Sequence, residues 1–260
     1  MAHLCVYCGS RANSDEHVVP QWLTAEMPPW YDLNDSQRTI LASGKMRWIS
    51  HPFGTTTVRV CARCNSGWMS DLEGQVKDFL LPMLFGMKES LTRTEQQILA
   101  TWVWKTLMMF EQATHPAQPV IPAHHYTYLY QHRRPSLRRT MMRLVRVAPP
   151  QKERREVSLA FRTTPIATEG AEPAGYIAHL RLFHLGFQIV SLDLPDGHTL
   201  APPDDDESGL VALWPPRDTL TWPPKQAFPT NVWESLYTAT GPFEISSGPI
   251  DSDELGQNVP

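Results

Sequence analysis

Apolar positions at helical spacing mark the middle of the chain, from about residue 70 to residue 113. One wide apolar face is made by residues that share the same side of a helix: Leu99, Trp102, Val103, Leu107 and Phe110. Trp104 and Met108 lie off this face, so the pattern predicts a helix that is buried on more than one side. Thr92 and Glu95 stand at capping-box spacing before it and predict its start.

From about residue 121 the pattern changes to short apolar runs separated by proline-rich loops. Four of these runs predict strands: Thr140–Val147, Val157–Arg162, Tyr176–Leu182 and Gly186–Leu192. A last short helix is predicted at residues 231–238. The polar and acidic tail after Ile250 is expected to be poorly ordered.

The first part of the chain alternates short patterned segments with a long polar one. Residues 14–20 predict a short extended segment that ends at a proline. Residues 24–50 show no periodic pattern and are interpreted as an irregular insertion. Residues 55–60 are almost all β-branched and predict a strand. Helical spacing then predicts a helix from about Asn65 or Ser70.

Together these elements predict an α+β fold with four regions along the chain. They are a small N-terminal unit at residues 1–80, a helical connector at 81–120, a β-rich α+β domain of unknown role at 121–250 and a flexible tail at 251–260. A chain of 260 residues is long enough for one large domain or two modest ones.

Composition indicates a folded protein in a reducing compartment. The hydrophobic fraction is 42%, and no run of about 18 apolar residues predicts a membrane span. The first residues lack a basic segment followed by an apolar one, so no secretory signal is expected. The expected location is therefore the cytoplasm, with no membrane partner.

Charge is unevenly distributed in a chain whose net charge is −4. One run is strongly basic and contains Arg133, Arg134, Arg138, Arg139, Arg143, Arg146, Lys152, Arg154 and Arg155. Such a run is often only a solvated face. It is also typical of a surface that faces phosphates, with the first six arginines as candidate nucleic-acid contacts. The sequence leaves both interpretations open.

The only cysteines of the chain form two Cys-x-x-Cys pairs, Cys5 with Cys8 and Cys61 with Cys64. Four thiolates in two close pairs satisfy tetrahedral zinc, with sulfur at about 2.3 Å from the ion. Reducing conditions keep thiols free and favour a metal over disulfides. The pairs therefore predict one structural Zn²⁺ that holds the N-terminal unit together.

Residues suited to hydrolysis stand between and beside these pairs. Glu16 and His17 are adjacent, and Asn65 directly follows the second pair. Imidazole exchanges a proton near neutral pH and can activate a water molecule. Carboxylate and amide oxygens suit Mg²⁺ or Mn²⁺. The alternative is that Glu16 and His17 are merely an exposed pair at a strand edge.

The order of these segments resembles the zinc-stapled HNH endonucleases, whose active site is a ββα-metal fold. The matching segments are Cys5-Val6-Tyr7-Cys8, Glu16-His17-Val18-Val19-Pro20 and Cys61-Ala62-Arg63-Cys64-Asn65. Residues 14–23 and 64–70 are similar in more detail to a bacterial subfamily with Glu-His-Val-x-Pro and Cys-x-x-Cys-Asn signatures. The resemblance covers about residues 1–75 and predicts an HNH-like ββα unit within residues 1–80.

The resemblance implies a metal-dependent endonuclease that hydrolyses phosphodiester bonds in nucleic acid, with DNA favoured over RNA and the choice between them left open. It implies His17 as the general base, and Glu16 and Asn65 as residues that hold a catalytic Mg²⁺ or Mn²⁺ beside the structural Zn²⁺. Domains of this family often act in bacterial defence or in mobile elements. A protein partner of the C-terminal domain is a further expectation.

One departure from the family pattern keeps a second function open. Thr56 stands where the family usually has an asparagine, about five residues before the second cysteine pair. The alternative function is a non-catalytic zinc-bound module with a degenerate HNH fold that recognises nucleic acid or protein.

Other aromatic and histidine side chains are interpreted as structural. Trp22 and Trp68 are expected to be core aromatics rather than platforms for base stacking. His124, His125, His179 and His184 lie at no ligand spacing to a carboxylate along the chain, and are interpreted as structural or exposed.

Overall fold

The computed structural model describes residues 3–26, 37–40, 46–49, 57–148, 159–166, 175–202, 209–229 and 243–247. The helix predicted at 231–238, the tail after Ile250 and Thr56 lie outside the described residues. The described elements include long helices in the first half and strands throughout, with a β-rich C-terminal region, so the fold is α+β.

The N-terminal part consists of short strands and a kinked helix. Its elements are β1 (Ser14–His17), α1 (Gln21–Ala25), β2 (Gln37–Ile40), β3 (Met46–Ile49), β4 (Thr57–Val60), α2 (Ala62–Cys64), a π-helical turn (Asn65–Met69) and α3 (Ser70–Leu84). β1 pairs antiparallel with β4, and β2 pairs antiparallel with β3. The segment 24–50 was predicted to be irregular, and the β2–β3 pair corrects that prediction.

The middle part contains β5 (Glu89–Thr92), α4 (Arg93–Thr114) and α5 (Ala123–His132). The predicted capping box is present at the start of α4. The Glu95 backbone N–H donates to Thr92 Oγ1 at 3.3 Å, and the Thr92 backbone N–H donates to Glu95 Oε2 at 2.8 Å. Local hydrogen bonds therefore set where this helix begins.

The C-terminal part is dominated by an antiparallel sheet. Its elements are β6 (Thr140–Arg146), β7 (Leu159–Ile166), β8 (Gly175–Leu182), β9 (Leu185–Leu192), β10 (His198–Ala201), β11 (Leu210–Trp214), β12 (Thr219–Trp222) and β13 (Glu244–Ser247). The main sheet has the strand order β11-β6-β9-β8-β7. It contains all four strands that the sequence predicts.

Helix α4 joins the two halves of the molecule. It is buried continuously from Leu99 to Glu111 and packs against β7, β8 and β11 on the sheet and against β4 of the N-terminal hairpin. The Trp104 indole N–H donates to the Tyr176 hydroxyl at 2.8 Å, and Phe110 stacks on Phe161. The prediction of a helix buried on several sides is confirmed, because the helix lies between two packed layers.

The main apolar cluster extends from the cysteine pairs to the sheet. Tyr7, in the first cysteine turn, lies with its ring centroid 5.2 Å from Trp68 and 5.8 Å from Tyr126 of α5. A unit this small has little apolar core of its own. Packing on α4 and α5 supplies the apolar contacts that the unit lacks. Among the described residues, no helix is long and apolar enough to cross a membrane.

Candidate active site

The four cysteines converge from two separate turns. The first turn is closed by a hydrogen bond from the Gly9 N–H to the Cys5 carbonyl, and Gly9 has the positive φ of 71° that this tight turn requires. The ligand atoms of Cys5, Cys8, Cys61 and Cys64 all lie within 4.8 Å of one another. A tetrahedral zinc–thiolate site separates its sulfurs by about 3.8 Å. The cluster can therefore hold a metal ion such as Zn²⁺.

The protonation of the cluster also suits a cation. Burial works against the Cys8 thiolate, but hydrogen bonds with Ser10, Cys61 and Cys64 lower its pKa to about 6. Burial raises the pKa of Cys61 and of Cys64. The Cys8 thiol therefore ionises more readily than the thiols of Cys61 and Cys64. Binding of a cation would release the protons that the thiols retain.

Purified protein is expected to contain about one zinc ion per chain, because the chain offers a single set of four convergent thiols. Elemental analysis measures the stoichiometry, and Cys61→Ser should lower it. His17→Ala and Asn65→Ala are matched controls that should retain zinc, since neither side chain belongs to the cluster. Protein that is free of zinc and remains fully folded would contradict a structural metal.

The hairpin of β1 and β4 places the predicted hydrolytic residues next to the kinked helix. His17 lies opposite Thr57, and Glu16 lies opposite Val58. Asn65 Nδ2 donates to Ser14 Oγ at 2.8 Å and to the Asp15 carbonyl at 3.1 Å. Because only the amide nitrogen can donate to a carbonyl, these bonds orient Asn65 and leave its Oδ1 as an acceptor. These two hydrogen bonds connect the start of the helix to β1.

A cavity of about 550 Å³ opens at this junction. It is lined by Asp15, Glu16, His17, Pro20, Gln21, Trp22, Asn65, Ser66, Ser70 and Glu73. The three residues predicted from the sequence, Glu16, His17 and Asn65, therefore share one cavity. The structure adds Asp15 and Glu73, whose carboxylates were not assigned a role from the sequence.

A buried lysine forms the other side of the carboxylate cluster. Lys105 of α4 has no exposed surface, and its ammonium donates to Glu16 Oε1 and, at 2.8 Å, to Glu73 Oε1. Glu16 is 7% exposed, so this ion pair lies largely out of water. A buried charge is tolerated only when it is paired, and each carboxylate supplies that pairing.

The three charges influence one another. Burial opposes the charge of Lys105, but attraction to Glu16 and Glu73 exceeds that cost and raises the lysine pKa. Burial raises the pKa of Glu16, while Lys105 acts in the opposite direction. With Lys105 protonated and both carboxylates ionised, the group has one excess negative charge. Such a group favours an additional proton or cation at the cavity.

Sequence reasoning missed Lys105, although a signal was present. It is the only charged residue between Glu95 and Glu111, in the most apolar stretch of the helix. A lone lysine on such a helix is expected to be paired. Its partners could not be named, because Glu16 and Glu73 lie far from it along the chain.

The predicted nucleic-acid contacts lie at different depths. Arg143 is 1% exposed within β6, Arg134, Arg138 and Arg146 are partly exposed, and Arg133 and Arg139 are exposed. The Arg133 guanidinium lies 4.6 Å from the Trp68 ring centroid. Lys152, Arg154 and Arg155 lie outside the described residues. The run therefore does not present all its charges on one surface.

Arg63 adds a cation that was not predicted. It lies between the last two cysteines and donates to the Tyr130 hydroxyl at 2.6 Å. The Arg133 guanidinium lies 4.5 Å from the ring centroid of the same tyrosine. The second cysteine turn and the start of the basic run thus share a positively charged edge.

The structure also places the tryptophans and histidines that the sequence analysis interpreted as structural. Trp68 and Trp22 are partly buried and pack against the core, and Trp22 also lines the cavity. His179 is fully buried, and burial lowers its pKa to about 3. His124 and His125 lie beside Asp193 in space, whereas the chain showed no carboxylate at ligand spacing.

Comparisons with known proteins identify no relative. No protein-family model, curated protein or solved structure matches the chain.

Proposed function

We propose that this protein is a metal-dependent endonuclease of the HNH type that hydrolyses phosphodiester bonds in nucleic acid. The observation that carries the proposal is the cavity in which His17, Asn65 and three carboxylates meet, beside a four-cysteine cluster. An antiparallel pair of strands followed by a helix surrounds this cavity. These are the parts that the sequence resemblance leads one to expect.

In this proposal His17 removes the proton from the attacking water. Its ring lies at the cavity, and its Nε2 is 3.3 Å from Gln21 Nε2, a contact that restrains the orientation of the imidazole. A positioned acid–base group contributes roughly two to four orders of magnitude to a rate. His17 is therefore the residue on which the chemistry depends most.

Oxygen atoms around the cavity would hold the catalytic ion. Glu16 and Asn65 are the proposed ligands, and Asp15 and Glu73 add carboxylates at the same cavity. A hard cation such as Mg²⁺ or Mn²⁺ prefers such oxygens and would stabilise the charge that develops on the scissile phosphate. Lys105 reduces the repulsion between Glu16 and Glu73 at the cavity.

One observation favours the alternative, a non-catalytic binding module. Glu16, assigned to the catalytic ion, is already bound by the ammonium of Lys105. If this pairing neutralises the cavity, the hairpin and helix would serve only to present a surface for nucleic acid or protein. The two functions differ in one measurable property, which is hydrolysis.

A cleavage assay tests the proposal. Single- and double-stranded DNA and RNA are incubated with zinc-loaded protein and either Mg²⁺, Mn²⁺ or a chelator that leaves the bound zinc in place. Cleavage that needs the added ion supports the nuclease. Binding to nucleic acid without cleavage, for every substrate and ion, would replace this proposal with the binding module.

Reversing the charge of two accessible arginines of the basic run, one partly exposed and one exposed, is expected to weaken nucleic-acid binding. The double variant Arg138→Glu and Arg139→Glu removes cations that can neutralise phosphates. The slope of log K for binding against log salt concentration should therefore become shallower by about one for each lost contact. Fluorescence anisotropy over a salt series measures both effects. Arg93→Glu with Arg217→Glu is a matched control at exposed positions outside the run. Equal losses in both double variants would indicate a general charge effect.

A further inference from the structure

We propose a second metal site, separate from the cysteine cluster and the cavity, formed by His124, His125 and Asp193. One ring nitrogen of each histidine and one carboxylate oxygen of Asp193 lie within 4.8 Å of one another. His124 Nε2 is 3.7 Å from Asp193 Oδ1. None of these residues lines the cavity, so the inference does not depend on the proposed nuclease.

The fold brings these residues together from two elements. His124 and His125 lie in the first turn of α5, and Asp193 directly follows β9. The two histidine rings are nearly perpendicular, with centroids 4.5 Å apart. Two ligands thus come from one helical turn and the third from the end of a central strand, which gives the site a rigid base.

His125 is held in a way that is typical of a metal ligand. It is 7% exposed, and its Nδ1 lies 3.3 Å from the hydroxyl of the buried Tyr176. That hydroxyl also accepts the Trp104 indole N–H at 2.8 Å. Metal-binding histidines commonly bond through their second ring nitrogen to such a group, which fixes the orientation of the ring. An ion at Nε2 would leave this network intact.

The ligand set identifies the class of metal. Two imidazoles and one carboxylate suit borderline divalent ions such as Zn²⁺, Co²⁺, Ni²⁺ or Fe²⁺ rather than Mg²⁺. Three protein ligands leave at least one coordination position for water or another small ligand, as in catalytic rather than structural zinc sites. Arg139, a cation of the same region, is 3.8 Å from Asp196 and does not pair with Asp193 in this arrangement.

Cobalt uptake by protein that holds one zinc ion per chain, at the cysteine cluster only, tests this site. Co²⁺ bound by nitrogen and oxygen ligands absorbs visible light. Co²⁺ bound by cysteines shows an additional thiolate charge-transfer band, so this band would reveal any Co²⁺ that has replaced zinc in the cysteine cluster. His124→Ala and Asp193→Asn are the test variants, since both side chains are substantially exposed and should not affect folding. His132→Ala on the same helix and Asp196→Asn in the same loop are matched controls.

With Mg²⁺ in excess to occupy the cavity, the expected result is one additional Co²⁺ per chain in wild type and in both controls. Each test variant should bind this ion at least about tenfold more weakly, since even residues beyond the ligands can change affinity by that factor. His17→Ala should bind it like wild type. Equal uptake by all variants, or no additional Co²⁺ in wild type, would overturn the second site and would leave the nuclease proposal unaffected.

Discussion

His17→Ala is expected to lower the rate of phosphodiester hydrolysis by roughly two to four orders of magnitude, the usual contribution of a positioned acid–base group. Alanine removes the imidazole that would accept the proton of water, while β1 keeps its pairing with β4 because that pairing uses the backbone. Single-turnover cleavage with saturating Mg²⁺ measures the effect on chemistry directly. Binding of nucleic acid and zinc content should both be retained.

Two further variants make this result specific. His3→Ala replaces an exposed histidine of the same unit and should cleave at the wild-type rate. Asn65→Ala should act through the catalytic ion, so a higher concentration of Mn²⁺ should restore part of its activity, whereas the ion should not rescue His17→Ala. If His17→Ala cleaves as fast as wild type, His17 is not the general base.

Lys105→Met is expected to lower the free energy of unfolding by about 3–5 kcal/mol, the usual cost of removing one partner from a buried ion pair. Methionine fills similar space but leaves Glu16 and Glu73 without their shared cation. Chemical denaturation of zinc-loaded protein measures the change. Lys88→Met, at an exposed position, is the matched control and should change stability by less than about 0.5 kcal/mol.

A second variant separates the ion pair from the loss of packing. The double variant Lys105→Met with Glu16→Gln removes one of the two carboxylates that Lys105→Met leaves without their cation. This double variant should be more stable than Lys105→Met alone. The ionic contribution of Lys105 also has a defined pH range. Because its pKa is raised, this contribution is complete below the ordinary lysine pKa and is lost as the pH rises through the folded value. A double variant no more stable than Lys105→Met would attribute the loss to packing alone.

Local patterns in the sequence determined the cysteine cluster, the start of α4 and the main strands of the sheet. The spacing of Cys-x-x-Cys is itself a geometric constraint, because two residues between cysteines let both sulfurs face one ion. The structure brings the four sulfurs together as that spacing predicts. The capping box of α4 and the four strands of the sheet were likewise predicted, since capping and strand periodicity depend on neighbouring residues.

The tertiary structure decided which distant side chains meet. Nothing along the chain connects Lys105 with Glu16 and Glu73, and only the packing of α4 beneath the hairpin makes them one charged group. Arg143, predicted as a candidate nucleic-acid contact, is a similar case, because the structure buries it within the sheet.

The same reason applies to the pairing of His124 and His125 with Asp193. These residues lie far apart in sequence, and they meet because α5 packs beside the end of β9. Sequence patterns report the local backbone and the face that each residue occupies. The partner across a packed interface depends on how whole elements are arranged, and that arrangement is set by the common core of helices and sheet.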